Sequence, residues 1–575
     1  MIKLLRFIKP YRRFIALVFV LVFAQSLANL YLPTLMADIV DTGIVKGDTG
    51  YILRVGGVML LVTIVGTICA VIASYFSAKT AVGFGRIVRG KIFTHVENFS
   101  LHEFDKAGTA SLITRTTNDT TQVQQVLVII LNMMISAPLM AIGGIVLAVS
   151  QDATLSWVLV GAIPILVIAI LVIMTRAIPL FQIMQKKIDK LNLILDEGLA
   201  GVRVIRAFDR IDHETRRFDE ANLDLTSTAI TVNRIVAFLM PIMMLVLNIS
   251  TVAILWFGAI RINSGDMQVG ALIAFLQYAM QILFAFLMLS MMFIMLPRAA
   301  ASADRINEVL AMEPEINDPA ESKSVGTKRG YVEFQNVTFS YPGAEEPALC
   351  DISFRASPGQ VTAIIGGTGS GKSTLISLIP RFYDVDSGHV LVDGIDTREM
   401  TQERLRAKIG FVPQKAILFS GTIADNIRYG KEDASEEEVR HAADVAQATE
   451  FISEMKDGLD SVIAQGGTNV SGGQKQRLSI ARALVRRPEI YVFDDSFSAL
   501  DFKTDARLRA ALKRETTEAT VFIVAQRVGT VMDADQIIVL DEGRIAGIGN
   551  HRELMETSEV YREIVSSQLS LEEIA

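Results

Sequence analysis

Residues Gly366 to Thr374 read GGTGSGKST. Gly366, Gly371, Lys372 and Ser373 meet the spacing GxxxxGKS of a loop that wraps phosphates. Glycines let successive backbone N–H groups curl around phosphate oxygens, and the helix that follows turns its positive end toward them. Gly366, Gly367, Thr368, Gly369, Ser370, Gly371 and Thr374 are therefore expected to line a nucleotide, with Lys372 reaching its β- and γ-phosphates. Ser373 supplies a hydroxyl suited to Mg²⁺. An apolar run, Ile490 to Phe493, delivers Asp494 at a strand end, the position required of the second metal-associated group. The chemistry this predicts is the binding of ATP with Mg²⁺.

Several elements must position these groups. Val361 to Ile365 form an apolar run leading into the glycine-rich loop, and Tyr331 to Gly343 (YVEFQNVTFSYPG) alternates apolar and polar residues as a half-buried strand does. After Pro297 the composition changes, as a helical segment runs into a polar, proline-marked linker ending near Gly330. The spacing predicts domains at 1–310 and 331–570 joined by a linker at 311–330.

The first of these domains has a different solvent. The chain is 575 residues long, 51% hydrophobic and only 20% charged, with mean hydropathy +0.39. Six stretches lack Asp, Glu, Lys and Arg altogether: Phe14 to Ala37, Val55 to Ala78, Thr120 to Gln151, Ala153 to Thr175, Ile235 to Ile260 and Met267 to Pro297. Each is long enough for the roughly 20 residues that cross a bilayer core. About twenty Lys and Arg flank these spans on one side, against about three (Lys46, Arg54, Arg261) on the other, which places the N-terminus and both long loops in the cytoplasm. The first span follows five basic residues without a convincing cleavage site, so it is expected to stay as an anchor. Its opening, KLLRFIKPYRRF, reads either as a short amphipathic helix on the inner leaflet or as a simple basic flank. Cys69 lies in the second span and Cys350 in the soluble half, an arrangement that predicts no disulfide. No His/Cys cluster suggests a metal site, and a net charge of −7 with pI near 5.6 argues against a nucleic-acid partner. The two cytoplasmic loops are expected to continue the spanning helices and to turn at Leu101 to Arg115 and Val202 to Glu214.

Val470 to Leu484, VSGGQKQRLSIARAL, resembles the signature motif and helix of ATP-binding cassette (ABC) proteins. With six spans ahead of it, the whole chain resembles one half-transporter of the ABC exporter type. LITRTTNDT (Leu112 to Thr120) and EGLAGVRVIRAF (Glu197 to Phe208) are similar to that family's membrane-domain motifs. The fold implied is an all-α six-helix transmembrane domain followed by an α/β P-loop cassette. The resemblance implies that Tyr341 stacks on adenine and that Gln414 contacts Mg²⁺ and reports nucleotide state to the membrane helices. It also implies that Ser471, Gly472, Gly473 and Gln474 close over ATP held by a second subunit, with Asp501 linking the two sites.

Against the family pattern, Asp495 stands where a water-activating glutamate is expected, Gln526 where a histidine grips the γ-phosphate, and Gln465 where a glutamate precedes the signature. The first carboxylate is one methylene short, and the second side chain can be neither acid nor base. Such a site is expected to hold ATP and cut it slowly. An intact signature beside a weakened site implies a non-identical partner carrying Glu and His, as in heterodimeric bacterial multidrug exporters of the plasma membrane. A slow homodimeric exporter of lipid or peptide and an ATP-sensing regulatory subunit are the other readings. Met240, Met243, Met244, Phe284, Phe286, Met288, Met291, Met292, Phe293 and Met295 offer an adaptable apolar surface for a hydrophobic small molecule.

Overall fold

The computed structural model describes residues 2–321, 323 and 329–568, with the side chains at 2, 290, 291, 293 and 294 outside that description. Positions 322 and 324–328 of the expected linker, positions 569–570 of the expected second domain, and the side chains of Met291 and Phe293 thus lie outside the described residues. The chain divides into two compact units, Met1–Glu97 with Thr109–Met312, and Asn98–Gly108 with Glu313–Ala575.

In the first unit, six helical segments among the described residues are long and apolar enough to cross a membrane: Lys3–Ile44, Thr49–Val96, Thr109–Gln151, Trp157–Ala200, Ile211–Asn263 and Val269–Leu289. They contain four of the six charge-free stretches and overlap the other two, 153–175 and 267–297. Thr49–Val96 alone is 48 residues, roughly 70 Å of helix against a hydrocarbon core of about 30 Å. The excess is the polar part of the sequence, which therefore runs on into water. Ahead of the first span, Ile2–Tyr11 forms a 3₁₀ helix with Leu4 buried and Leu5 exposed.

Charged groups in this unit pair between helices near their ends. Arg261 Nε donates to Asp152 Oδ2 at 2.6 Å, and the same carboxylate accepts Leu155 N at 2.8 Å. In the cytoplasmic extensions, Arg305 grips the buried Asp119 with two nitrogens, Nε lying 2.8 Å from Oδ2, and Arg115 pairs with Glu308 at 3.0 Å. These two pairs tie the third spanning helix to the sixth. Lys187 pairs with Asp224 at 2.6 Å, and Arg217 with Glu197, tying the fourth to the fifth. Between the fourth and fifth extensions the chain turns through a short helix, Val202–Ala207, with Val204 and Phe208 exposed.

The other expected tip, the helix Leu101–Ala107, belongs to the second unit. A capping box opens it: the Ser100 backbone N–H donates to Glu103 Oε2 at 2.7 Å. Glu103, itself buried, also accepts the Glu315 amide at 3.3 Å on Oε1.

Twelve strands follow among the described residues: β1 Val332–Phe339, β2 Leu349–Ala356, β3 Val361–Gly366, β4 Ser387–Val392, β5 Ile395–Asp396, β6 Ile409–Val412, β7 Gly421–Thr422, β8 Val462–Ile463, β9 Ile490–Asp494, β10 Thr520–Val524, β11 Gln536–Asp541 and β12 Arg544–Gly549. An antiparallel sheet has the order β2-β1-β4-β5. A six-stranded sheet runs β12-β11-β3-β10-β9-β6, parallel except for β12, and β7 pairs with β8. The continuous apolar runs of β3 and β9 are central strands covered on both faces. β1 keeps its expected alternation except at Gln335 and Asn336, both exposed, where a bulge shifts the register and Asn336 takes φ 48°.

The Arg305–Asp119 pair yields an asymmetric prediction. Asp119 is buried and Arg305 is half exposed, so Arg305→Ala strands a carboxylate whereas Asp119→Ala leaves a cation that water can solvate. Thermal unfolding in detergent should register a loss of about 2–4 kcal/mol for the first and clearly less for the second.

Candidate functional site

Parallel register brings four loops to one edge of the six-stranded sheet. Ile364 of β3 stands beside Val524 of β10, Val524 beside Asp494 of β9, and Phe493 beside Val412 of β6. The glycine-rich loop, the Asp494–Asp495 pair, Gln526 and Gln414 follow directly from these ends. A Cβ at Gly366 would lie 2.1 Å from the Leu540 carbonyl oxygen, so β11 runs too close for any side chain. Gly371 caps the helix Lys372–Leu378 at φ 95°, with the Ala348 carbonyl 2.8 Å from where a Cβ would sit.

Lys372 Nζ donates to the carbonyls of Gly367 at 2.6 Å and Gly366 at 3.0 Å. Burial lowers its pKa, opposed by the charges of Asp495 and Asp494. Ser373 Oγ donates to Asp494 Oδ1 at 3.0 Å. Burial pushes the Asp494 carboxyl above the usual carboxylate range; the Ser373 hydroxyl opposes the rise, the neighbouring Asp495 charge adds to it, and Lys372 opposes it.

Asp495 is buried and takes φ 44°, with its amide donating to the Val524 carbonyl at 3.1 Å. Its Oδ2 accepts two side-chain amides, Gln526 Nε2 at 3.0 Å and Gln414 Nε2 at 3.3 Å. That leaves the Gln414 amide oxygen as the end suited to a cation. With the Ser373 hydroxyl and the Asp494 carboxylate it makes an all-oxygen donor set of the kind Mg²⁺ takes.

Tyr341 is partly exposed, and its hydroxyl lies 2.9 Å from Thr374 Oγ1 in the phosphate-loop helix. Tyr383 meets it edge-on, centroids 5.4 Å apart. Beside them is a cavity of about 340 Å³ whose wall includes Ser100, Glu315 and Asp384. The signature begins with a capping box: Ser471 N donates to Gln474 Oε1 at 2.8 Å, and Gln474 N to Ser471 Oγ at 3.3 Å. Gly472 and Gly473 open that helix, which runs to Leu484. Asp501 caps the helix Phe502–Glu515 through the Thr504 amide at 3.0 Å.

Three contributors escaped the sequence reading. Tyr383 carries no motif, Gln476 holds the Gln414 carbonyl at 3.0 Å from inside the signature helix, and Gln568 reaches the Gln526 carbonyl at 2.8 Å from the C-terminal helix. Only the period of Tyr561, Val565 and Gln568 could have marked the last. The expected Met and Phe surface divides: Met243 and Phe286 pack half-buried against a buried cluster that holds Leu166 and Val246, whereas Met240, Met244, Phe284, Met288 and Met295 are exposed. None of these Met and Phe side chains lines an apolar cavity of about 640 Å³ between Trp157–Ala200 and Leu239–Asn263, with Trp157, Phe257 and Arg261 in its wall.

The raised Asp494 pKa has a direction in solution. The folded chain holds this proton more tightly than the unfolded one, so its stabilising contribution is present below the ordinary carboxylate pKa and is lost as pH rises through the raised value. In nucleotide-free thermal unfolding across that window, Asp495→Asn should shrink the loss relative to the parent chain, and Ser373→Ala should enlarge it.

The family described as ABC transporter transmembrane region matches residues 15–286, and that described as ABC transporter matches residues 349–498. The chain is 47% identical to an uncharacterized ABC transporter ATP-binding protein of Mycobacterium tuberculosis, over 98% of this chain and 97% of that one. It is 31% identical to Bacillus subtilis YgaD, provisionally named a multidrug export ATP-binding/permease protein, over 98% and 99% of the two. It superposes with TM-score 0.82 on a bacterial Atm1-family ABC exporter solved with ATP bound, at 26% identity over 97% and 98% of the two chains. With its six spans it is a multi-pass plasma-membrane protein whose ATP-binding domain is cytoplasmic. The chain belongs to the ABC transporter family, as an exporter-type half-transporter that joins a six-helix transmembrane domain to an ATP-hydrolysing cassette.

Proposed function

We propose that this chain is the ATP-retaining half of a heterodimeric exporter that moves hydrophobic small molecules, as in multidrug efflux, out across the plasma membrane. The observation that carries this reading is the environment of Asp495. A carboxylate one methylene short of glutamate stands at the water-activating position, with one oxygen engaged by the amides of Gln526 and Gln414. Gln526 is neutral, so it brings no imidazolium to the γ-phosphate. Misplacing a catalytic group by about 1 Å costs on the order of 10²-fold in rate, roughly 2.7 kcal/mol of barrier.

On this reading Tyr341 stacks on adenine, while Gly366, Gly367, Thr368, Gly369, Ser370, Gly371, Lys372 and Thr374 hold the triphosphate. Ser373, Gln414 and Asp494 hold Mg²⁺, which when bound neutralises phosphate charge. Ser471, Gly472, Gly473 and Gln474 present a capped helix N-terminus to ATP on the partner, whose own Glu and His carry the fast chemistry. Two features support the cargo class: five exposed Met and Phe side chains around the fifth and sixth spans, and the multidrug name given to YgaD. The domain limits proposed are 1–310 and 331–570, with a linker between them.

ATPase rates of this chain alone, of the pair, and of the pair with the partner's glutamate changed to Gln provide the test. The chain alone should turn over slowly, the pair fast, and the substituted pair at about the rate of the chain alone. Asp495→Glu with Gln526→His should raise hydrolysis in this site by about 10-fold or more. Robust turnover by the unmodified chain alone would overturn the reading.

A further inference from the structure

Gln526 owes its place to groups far from it in sequence. It lies between β10 and the short helix Val528–Val531, and its side chain reaches Asp495. The backbone on either side of it is bound by one residue: Gln568 Nε2 donates to the Gln526 carbonyl at 2.8 Å, and Gln568 Oε1 accepts the Val528 amide at 2.8 Å. The Val528 amide belongs to a helix's first turn, which has no partner within the helix. One carboxamide therefore bridges two backbone groups as a neighbouring strand would. Further along, the Gly529 carbonyl accepts Arg509 Nη1 at 3.1 Å, and Arg509 is itself paired with Asp505 at 3.2 Å.

The helix Glu559–Gln568 is fixed well enough to do this. Tyr561 and Val565 are fully buried in the core that also holds Val528 and Val531. Tyr561, Val565 and Gln568 follow the i, i+4, i+7 spacing of one helix face, so packing of the first two aims the third at the loop. We propose that Gln568 is a positioning residue for Gln526, holding the loop in the geometry from which the side chain meets Asp495 and the γ-phosphate. The inference rests on the reading that Gln526 serves the nucleotide.

The test uses the full-length chain in detergent with Mg²⁺ and ATP, comparing Gln568→Ala, Gln568→Glu, Gln526→Ala and the double alanine variant. Hydrogen exchange over residues 525–529 should rise about tenfold in Gln568→Ala, with less change in Gln568→Glu, which keeps the acceptor for Val528. The lifetime of bound ATP should shorten about three- to tenfold in Gln568→Ala, with no further change when that substitution is added to Gln526→Ala. A merely structural role would add to the Gln526 effect, and additivity overturns the proposal. Unchanged exchange overturns it as well, leaving the reading of Gln526 intact. If Gln526→Ala itself leaves ATP lifetime unaltered, the nucleotide reading and the proposal fall together.

Discussion

The nucleotide half depends on one constraint, the parallel register of β6, β9, β10 and β3. Because Val412, Phe493, Ile523 and Ala363 stand in line across the sheet, the loops after them emerge side by side, and side chains as far as 121 positions apart become hydrogen-bonding neighbours. Ligands of open α/β sheets gather at such carboxyl ends. A one-residue slip of β9 against β10 would carry Asp494 away from Ser373 and turn Asp495 away from Gln526 together. The burial of β9 on both faces makes that slip costly.

Within this frame the two aspartates have separate environments. Asp494 is engaged by a hydroxyl donated from the phosphate-loop helix, and burial keeps its carboxyl reluctant to ionise. Asp495 turns out of the strand through a left-handed backbone and meets two side-chain amides. Asp tolerates that conformation better than most residues. Asp495 and Gln526 are thus not independent: each shapes what the other touches, and the Gln526 amide at 3.0 Å is a closer donor to that carboxylate than the Gln414 amide at 3.3 Å.

How much could be read from sequence follows from how local each feature is. The phosphate loop, the β9 acidic end and the signature are contiguous motifs, and Ser373 and Asp494 are found together. The six spans were legible because bilayer length is written as runs without charge. Glu103 with Glu315, Gln476 with the Gln414 carbonyl, and Gln568 with the Gln526 loop are contacts across 40 to 212 positions, and no spacing rule reaches that far. The bulge at Asn336 has another reason: Gln335 and Asn336 interrupt the alternation for one residue only, Val337 resumes it, and the run still reads as a single strand. The Met and Phe surface was only half legible, because composition says how apolar a helix is and not which of its faces is covered.

Gln414 joins the Asp495 carboxylate to the signature helix. Its side-chain amide reaches Asp495, while its backbone carbonyl is held by Gln476 of the helix that Ser471 caps. A change at the carboxylate that moves Gln414 must therefore stretch or carry with it a hydrogen bond to the signature helix. On the proposed reading, that helix faces ATP bound by the other subunit. The same residue then answers to both sites, its side chain to the slow one and its carbonyl to the fast one. On that reading the signature and the Asp495 carboxylate are two ends of a single short connection through Gln414, and a slow site would keep that connection set while the other turns over.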